Sequence, residues 1–158
     1  MVKYPISKEF FPFNLFAPPM SKKFVLMAQK YMKTPGLLWK DPELDVQTRR
    51  IPGYQGGEIE VFIITPKDLP VPAPCLVNFH GGGFVFEGYN SHYQMAMAYA
   101  KEGRCKVVYV RYRLAPAQPF PVPQEDCYAA FAGCMRMRQS WAFIRIASLS
   151  AATARAAR

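Results

Sequence analysis

Two stretches of the chain alternate apolar and polar positions, and two others are continuously apolar. Three more space their apolar residues as a helix does. "VQTRRIPG" and "EIEVFIITP" alternate, which predicts two antiparallel strands joined around Gly53, Gly56 and Gly57. "APCLVNFH" and "KVVYVRY" are short unbroken apolar runs, the pattern of strands buried on both faces of a sheet. Ahead of them, Phe24, Met27, Tyr31 and Met32 fall near helical spacing with Ser21 as the N-cap, and "TPGLLWKDPEL" reads as a loop. "SHYQMAMAYAKEG" reads as a helix capped by Ser91 and closed by Gly103. "PVPQEDCYAAFAGCM" starts another, with prolines before it and Glu125 and Asp126 in its first turn. Strand, glycine loop, helix, strand, helix is a βαβα unit, so the fold class is α/β with a mostly parallel sheet and antiparallel first strands.

At 158 residues, about half of them hydrophobic, the chain fits one ordinary domain with a real core. The net charge of +9 brings nucleic acid to mind, but its placement argues otherwise. No acid follows Asp126, and Arg136, Arg138, Arg145, Arg155 and Arg158 supply most of the excess without aromatic interleaving. No nucleic-acid partner is expected. Cys75, Cys105, Cys127 and Cys134 form no CxxC pair and meet no histidine cluster, so they read as free thiols in a reducing compartment, with no metal and no cofactor. Prolines interrupt the N-terminal apolar residues, and no run reaches the length of a membrane span. The expectation is a soluble, cytoplasmic protein.

The residues that carry chemistry are His80-Gly81-Gly82-Gly83, directly after the first buried strand. Glycines let successive N–H groups converge on one oxygen, as an oxyanion hole requires. Taken alone, the motif also fits a glycine-rich turn that packs strand on helix.

The context narrows this. HGGGF, a helix opened by Ser91-His92, then "YRLAP", "FP" and "ED" follow in order between His80 and Asp126. That series resembles the hormone-sensitive-lipase-like esterases of the α/β-hydrolase fold, over about residues 45 to 130. The resemblance implies the N-terminal half of an α/β-hydrolase, with a helical cap segment over 1–45 and a partial hydrolase domain over 46–131; residues 132–158 read as an aberrant, out-of-frame Ala/Arg-rich tail. It implies that Gly82 and Gly83 donate the oxyanion-hole hydrogen bonds, that Gly81 shapes the turn and that His80 braces the loop. Arg113 and Asp126 would hold loop and helix in place, and His92 reads as structural. Phe10, Phe11, Phe13, Phe16 and Phe24 would line an acyl-side cap or simply be core.

The catalytic triad of that family does not appear. No GxSxG elbow occurs, Ser140, Ser148 and Ser150 lack its small flanking residues, and the histidines are His80 and His92. If each codon from Gly133 to Ala157 is re-read from the last base of the codon before it, the neighbouring frame can spell WVYENAAELGI(H/Y)PDRVAVGGDSAGG. Ala151–Ala157 then becomes GGDSAGG, a serine elbow. This predicts a one-base slip near codons 130 to 132, and any helix in the Ala- and Arg-rich tail would reflect propensity alone. Without the strand that leads into the elbow, "CLVNF" would be an exposed sheet edge prone to self-association. The leading reading is an inactive piece of a carboxylic-ester hydrolase whose complete parent takes small esters. The alternatives are a non-catalytic protein that binds small acyl ligands and a basic nucleic-acid or membrane binder resting on the tail arginines.

Overall fold

A computed structural model describes residues 21–31 and 40–150. Its elements are α1 (Lys22–Tyr31), β1 (Leu44–Pro52), a 3-10 turn (Tyr54–Gly56), β2 (Glu58–Pro66), β3 (Ala73–Phe79), α2 (Asn90–Glu102), β4 (Lys106–Arg111), α3 (Val122–Arg136) and β5 (Phe143–Ser150). Every strand and helix expected up to residue 136 is present. Phe10, Phe11, Phe13 and Phe16 lie outside the described residues, as does the tail from 151.

The strands form one sheet in the order β1-β2-β4-β3-β5. β1 and β2 run antiparallel, as do β2 and β4; β3 is parallel to both β4 and β5. Period-two alternation within an apolar strand serves two cores at once. In β4, Val108 and Val110 join Ile59, Val61, Cys75 and Val77 under Ala130 and Cys134 of α3. Val107 and Tyr109 face the other way, against Tyr93, Ala96 and Ala100 of α2. All four of these β4 residues have no exposed surface, which is why the run carries no polar position.

Two local expectations are corrected. α2 begins one residue early, at Asn90, with Tyr89 at the N-cap in place of Ser91. His92 performs the capping, because its Nδ1 accepts the Tyr89 N–H at 3.0 Å. Gly103 does end the helix, donating its N–H to the Tyr99 carbonyl at 3.0 Å. Ser21 caps α1 as expected, its Oγ accepting the Phe24 N–H at 3.3 Å.

The larger correction concerns the tail. After α3 the chain turns and forms β5, a strand where helix propensity alone was expected. Apolar Phe143, Ile144 and Ile146 fit a sheet better than a solvated helix, and the open flank of β3 offered unpaired backbone groups to satisfy. β5 pairs with β3 from Ala73 opposite Phe143 to Phe79 opposite Ser150, with a register shift between Ala73 and Cys75. "CLVNF" is therefore an interior strand and not an exposed edge. Phe143 is buried, Ile146 packs on the α3-side core and Ile144 is exposed.

Candidate active-site loop

The loop after β3 is built around a buried histidine. His80 is only 1% exposed. Its Nδ1–H donates to the Gly81 carbonyl at 2.8 Å, because a carbonyl can only accept. The Tyr112 hydroxyl donates to the His80 carbonyl at 2.7 Å, and the two rings stack with centroids 4.3 Å apart. That leaves Nε2 as the ring's acceptor, with no partner among the described residues. Burial, the main cause, lowers the His80 pKa to about 4, so the ring is neutral near pH 7. A neutral ring stacked on Tyr112 and on Tyr109, with one nitrogen committed to its own loop, suits a brace.

Beyond it, Gly82 has φ +125° and Gly83 φ +62°. A Cβ on Gly82 would lie 2.4 Å from the Phe86 carbonyl oxygen, so this position needs glycine on two counts. The Gly82 carbonyl accepts the N–H groups of Val85 and Phe86 at 3.1 and 3.0 Å, which closes the turn. The N–H groups of Gly82 and Gly83 take no part in these bonds.

The "YRLAP" block holds this loop from the opposite side. The Ala115 N–H donates to the Phe84 carbonyl at 2.9 Å. From α1, Gln29 Nε2 reaches the carbonyls of Val85 at 2.5 Å and Ala115 at 2.7 Å, joining both loops to the N-terminal helix. Phe24 is half-buried on that helix. Arg113 and Asp126 form an ion pair that also captures the backbone of Tyr54. Tyr112 and Gln29 escaped the sequence reading. Tyr112 lay unremarked inside a recognised motif, and Gln29 gave no signal beyond being a polar residue among apolar ones.

A cavity of about 510 Å³ opens beside His80, lined by Gln29, Tyr112 and a charged set that includes Arg50, Glu58, Glu60, Glu87 and Arg111. Arg111 pairs with Glu60 at 2.5 Å and with Glu87. The thiols offer no substitute nucleophile. Burial raises the pKa of each, Cys127 to about 12 and Cys134 to about 11, so thiolate is scarce near neutrality. Among the described residues no group of three or more His, Cys, Asp or Glu could hold a metal ion, and no helix is long and apolar enough to cross a membrane.

The comparisons with known proteins agree with this architecture. Residues 76–148 match the family model for the alpha/beta hydrolase fold. Carboxylesterase NlhH of Mycobacterium tuberculosis is 37% identical over 102 residues, which is 64% of this chain and 31% of NlhH. Among solved structures, an esterase of Pyrobaculum calidifontis superposes with TM-score 0.61 at 30% identity, over 81% of this chain and 39% of that one. Esterase LipW of Mycobacterium marinum superposes with TM-score 0.71 at 24% identity, over 82% and 43%. The family match, the carboxylesterase and the esterase structure together support the hormone-sensitive-lipase-like family of the alpha/beta hydrolases. The chain spans about a third of the length of the carboxylesterase it matches.

Proposed function

We propose that this chain is a piece of a carboxylic-ester hydrolase that carries the oxyanion loop and is catalytically silent by itself. The observation that supports the reading best is the pair of positive-φ glycines, Gly82 and Gly83, at the end of a buried parallel strand and behind a braced His80. In the complete enzyme a serine would attack the ester carbonyl, and histidine would take its proton and return it to the leaving alcohol. The N–H groups of Gly82 and Gly83 would receive the developing negative charge. This chain contains no serine elbow, and both of its histidines are engaged in loop and cap hydrogen bonds. Loss of a serine nucleophile costs on the order of 10⁶ in turnover.

The same reading includes the one-base slip near codons 130 to 132, with residues 132–158 read out of frame. On this reading residues 132–150 form a helix end and a strand through their apolar pattern alone, while the family match runs in the present frame to residue 148. Sequencing the gene from codon 125 tests the slip, and codons unable to spell GDSAGG in the shifted frame refute it. Hydrolysis of a short-chain nitrophenyl ester by the purified chain tests the silence: no turnover above background is expected, and clear turnover overturns it.

The second reading, a binder of small acyl ligands, draws on the cavity beside His80. Its charged lining suits a polar ligand better than an acyl chain. Ester-analogue binding that raises the melting temperature would favour it.

A further inference from the structure

Helix α1 turns toward the protein a face that includes Val25, its one buried residue, and Gln29, which bonds both loops. The opposite face has a different composition. At about 100° per residue, Lys22, Lys23, Leu26, Met27, Lys30 and Tyr31 all fall within one half of the helix circumference. The structure exposes all six, with Leu26 at 43%, Met27 at 52% and Tyr31 at 79%. Three cations are interleaved with three large apolar side chains, and the helix contains no acid.

We propose that this outer face of α1 adsorbs to anionic lipid surfaces. The lysine ammoniums meet the headgroup phosphates, while Leu26, Met27 and Tyr31 enter the boundary between headgroups and acyl chains. The geometry fits that interface. Ten residues of helix are roughly 15 Å long, about half of what crossing a bilayer requires, so α1 lies in the plane of the surface. Lysines can extend their ammoniums to the headgroups while their methylene stems cover apolar neighbours. Each lysine near an anionic surface is worth roughly fivefold in partitioning, so the three together are worth about a hundredfold. A nucleic-acid backbone would use the lysines but leave the apolar side chains in water, which is why lipid is the better match. Gln29, on the inner face, ties the helix to the loops at Val85 and Ala115 and lines the cavity beside His80, so adsorption would bring that charged cavity close to the membrane.

Flotation of the full chain with vesicles tests the proposal. Vesicles of equal phosphatidylcholine and phosphatidylglycerol should bind it, and phosphatidylcholine alone should not. The triple substitution Lys22→Glu, Lys23→Glu, Lys30→Glu should reduce partitioning at least a hundredfold. Leu26→Ser with Met27→Ser should reduce it about tenfold without altering net charge, and Arg155→Ala with Arg158→Ala should leave it unchanged. Tyr31→Trp should give blue-shifted emission on the mixed vesicles only. Because every altered side chain on α1 is exposed, circular dichroism should show each variant folded; should one unfold, the Tyr31→Trp emission decides. Absence of binding by the unaltered chain, binding that survives both α1 variants, or binding lost only with the tail arginines overturns the proposal. So does full vesicle binding by the Leu26/Met27 variant, which would mark the face as a general polyanion site.

Discussion

The guanidinium of Arg113 grips both oxygens of the Asp126 carboxylate, with Nε 2.8 Å from Oδ2 and Nη2 2.8 Å from Oδ1. The same carboxylate accepts the N–H of Tyr54 at 3.0 Å, and Nη2 also donates to the Tyr54 carbonyl at 2.8 Å. One pair of side chains thus ties together the turn after β1, the end of β4 and the start of α3. Removing Asp126, which has no exposed surface, leaves an arginine and the backbone N–H groups of Tyr54 and Arg113 without their acceptor. Asp126→Ala should cost about 3 kcal/mol, read as a lower denaturant midpoint. Adding Arg113→Met to it should cost less than the two single changes added together.

The pair also has an acid signature. Burial works to raise the Asp126 pKa, but the Arg113 hydrogen bond and the N–H groups of Tyr54 and Arg113 outweigh it and hold the carboxyl below its ordinary value of 3.8. A depressed carboxylate stabilises the fold above the unfolded pKa and loses that contribution as pH falls through the folded one. A stability–pH curve should therefore steepen below about pH 4, and Asp126→Asn should remove that segment of the slope.

His80 acts in a higher window. Unfolded, it takes up a proton below its ordinary 6.5; folded, burial delays protonation to about 4. The unfolded state binds more protons between those values, so stability should fall on acidification from 6.5 toward 4, by about 3 kcal/mol in all. His92, also lowered by burial, adds in the same direction. The check is the difference between the unaltered chain and His80→Gln, whose curve should be flatter in that window. Parallel curves would refute the assignment.

The two glycines of the loop should respond unequally to alanine. Gly82→Ala combines φ +125° with a Cβ 2.4 Å from a backbone oxygen, so the turn must move. At Gly83, φ is +62° and an added Cβ meets nothing within 4 Å, leaving only left-handed strain of about 1 kcal/mol. Gly82→Ala should cost clearly more, by roughly 2 kcal/mol. Equal losses in urea melts would contradict this geometry.

Self-association, expected from an exposed edge, moves outward with the correction at β5. In the sheet order β5 is terminal, and Ile144 on it is exposed. Size-exclusion profiles should shift to larger species with concentration, and Ile144→Lys should suppress the shift. A monomer at every concentration would rule the edge out as an interface.

How much of this was legible beforehand depended on the range of each interaction. β4 could be read directly, because Val107 to Val110 are apolar on both faces for a reason that the sequence itself carries. The loop was legible because few residues other than glycine tolerate the backbone at Gly82. β5 was not. Its apolar residues sit in a tail dominated by alanine and arginine, and what makes them a strand is the open side of β3, about seventy residues earlier. Gln29 was hidden for a similar reason, since its two acceptors lie 56 and 86 residues away.

The register that ends with Phe79 opposite Ser150 has a practical meaning. Two parallel strands finish level with each other, one running into His80 and the glycines, the other ending at Ser150 on the same rim of the sheet. That rim is a socket. A short serine-bearing turn grafted directly after Ser150 would be delivered beside the glycine loop by the strand pairing already in place. On the proposed function, rebuilding a nucleophile would thus be a splice at one point of the chain.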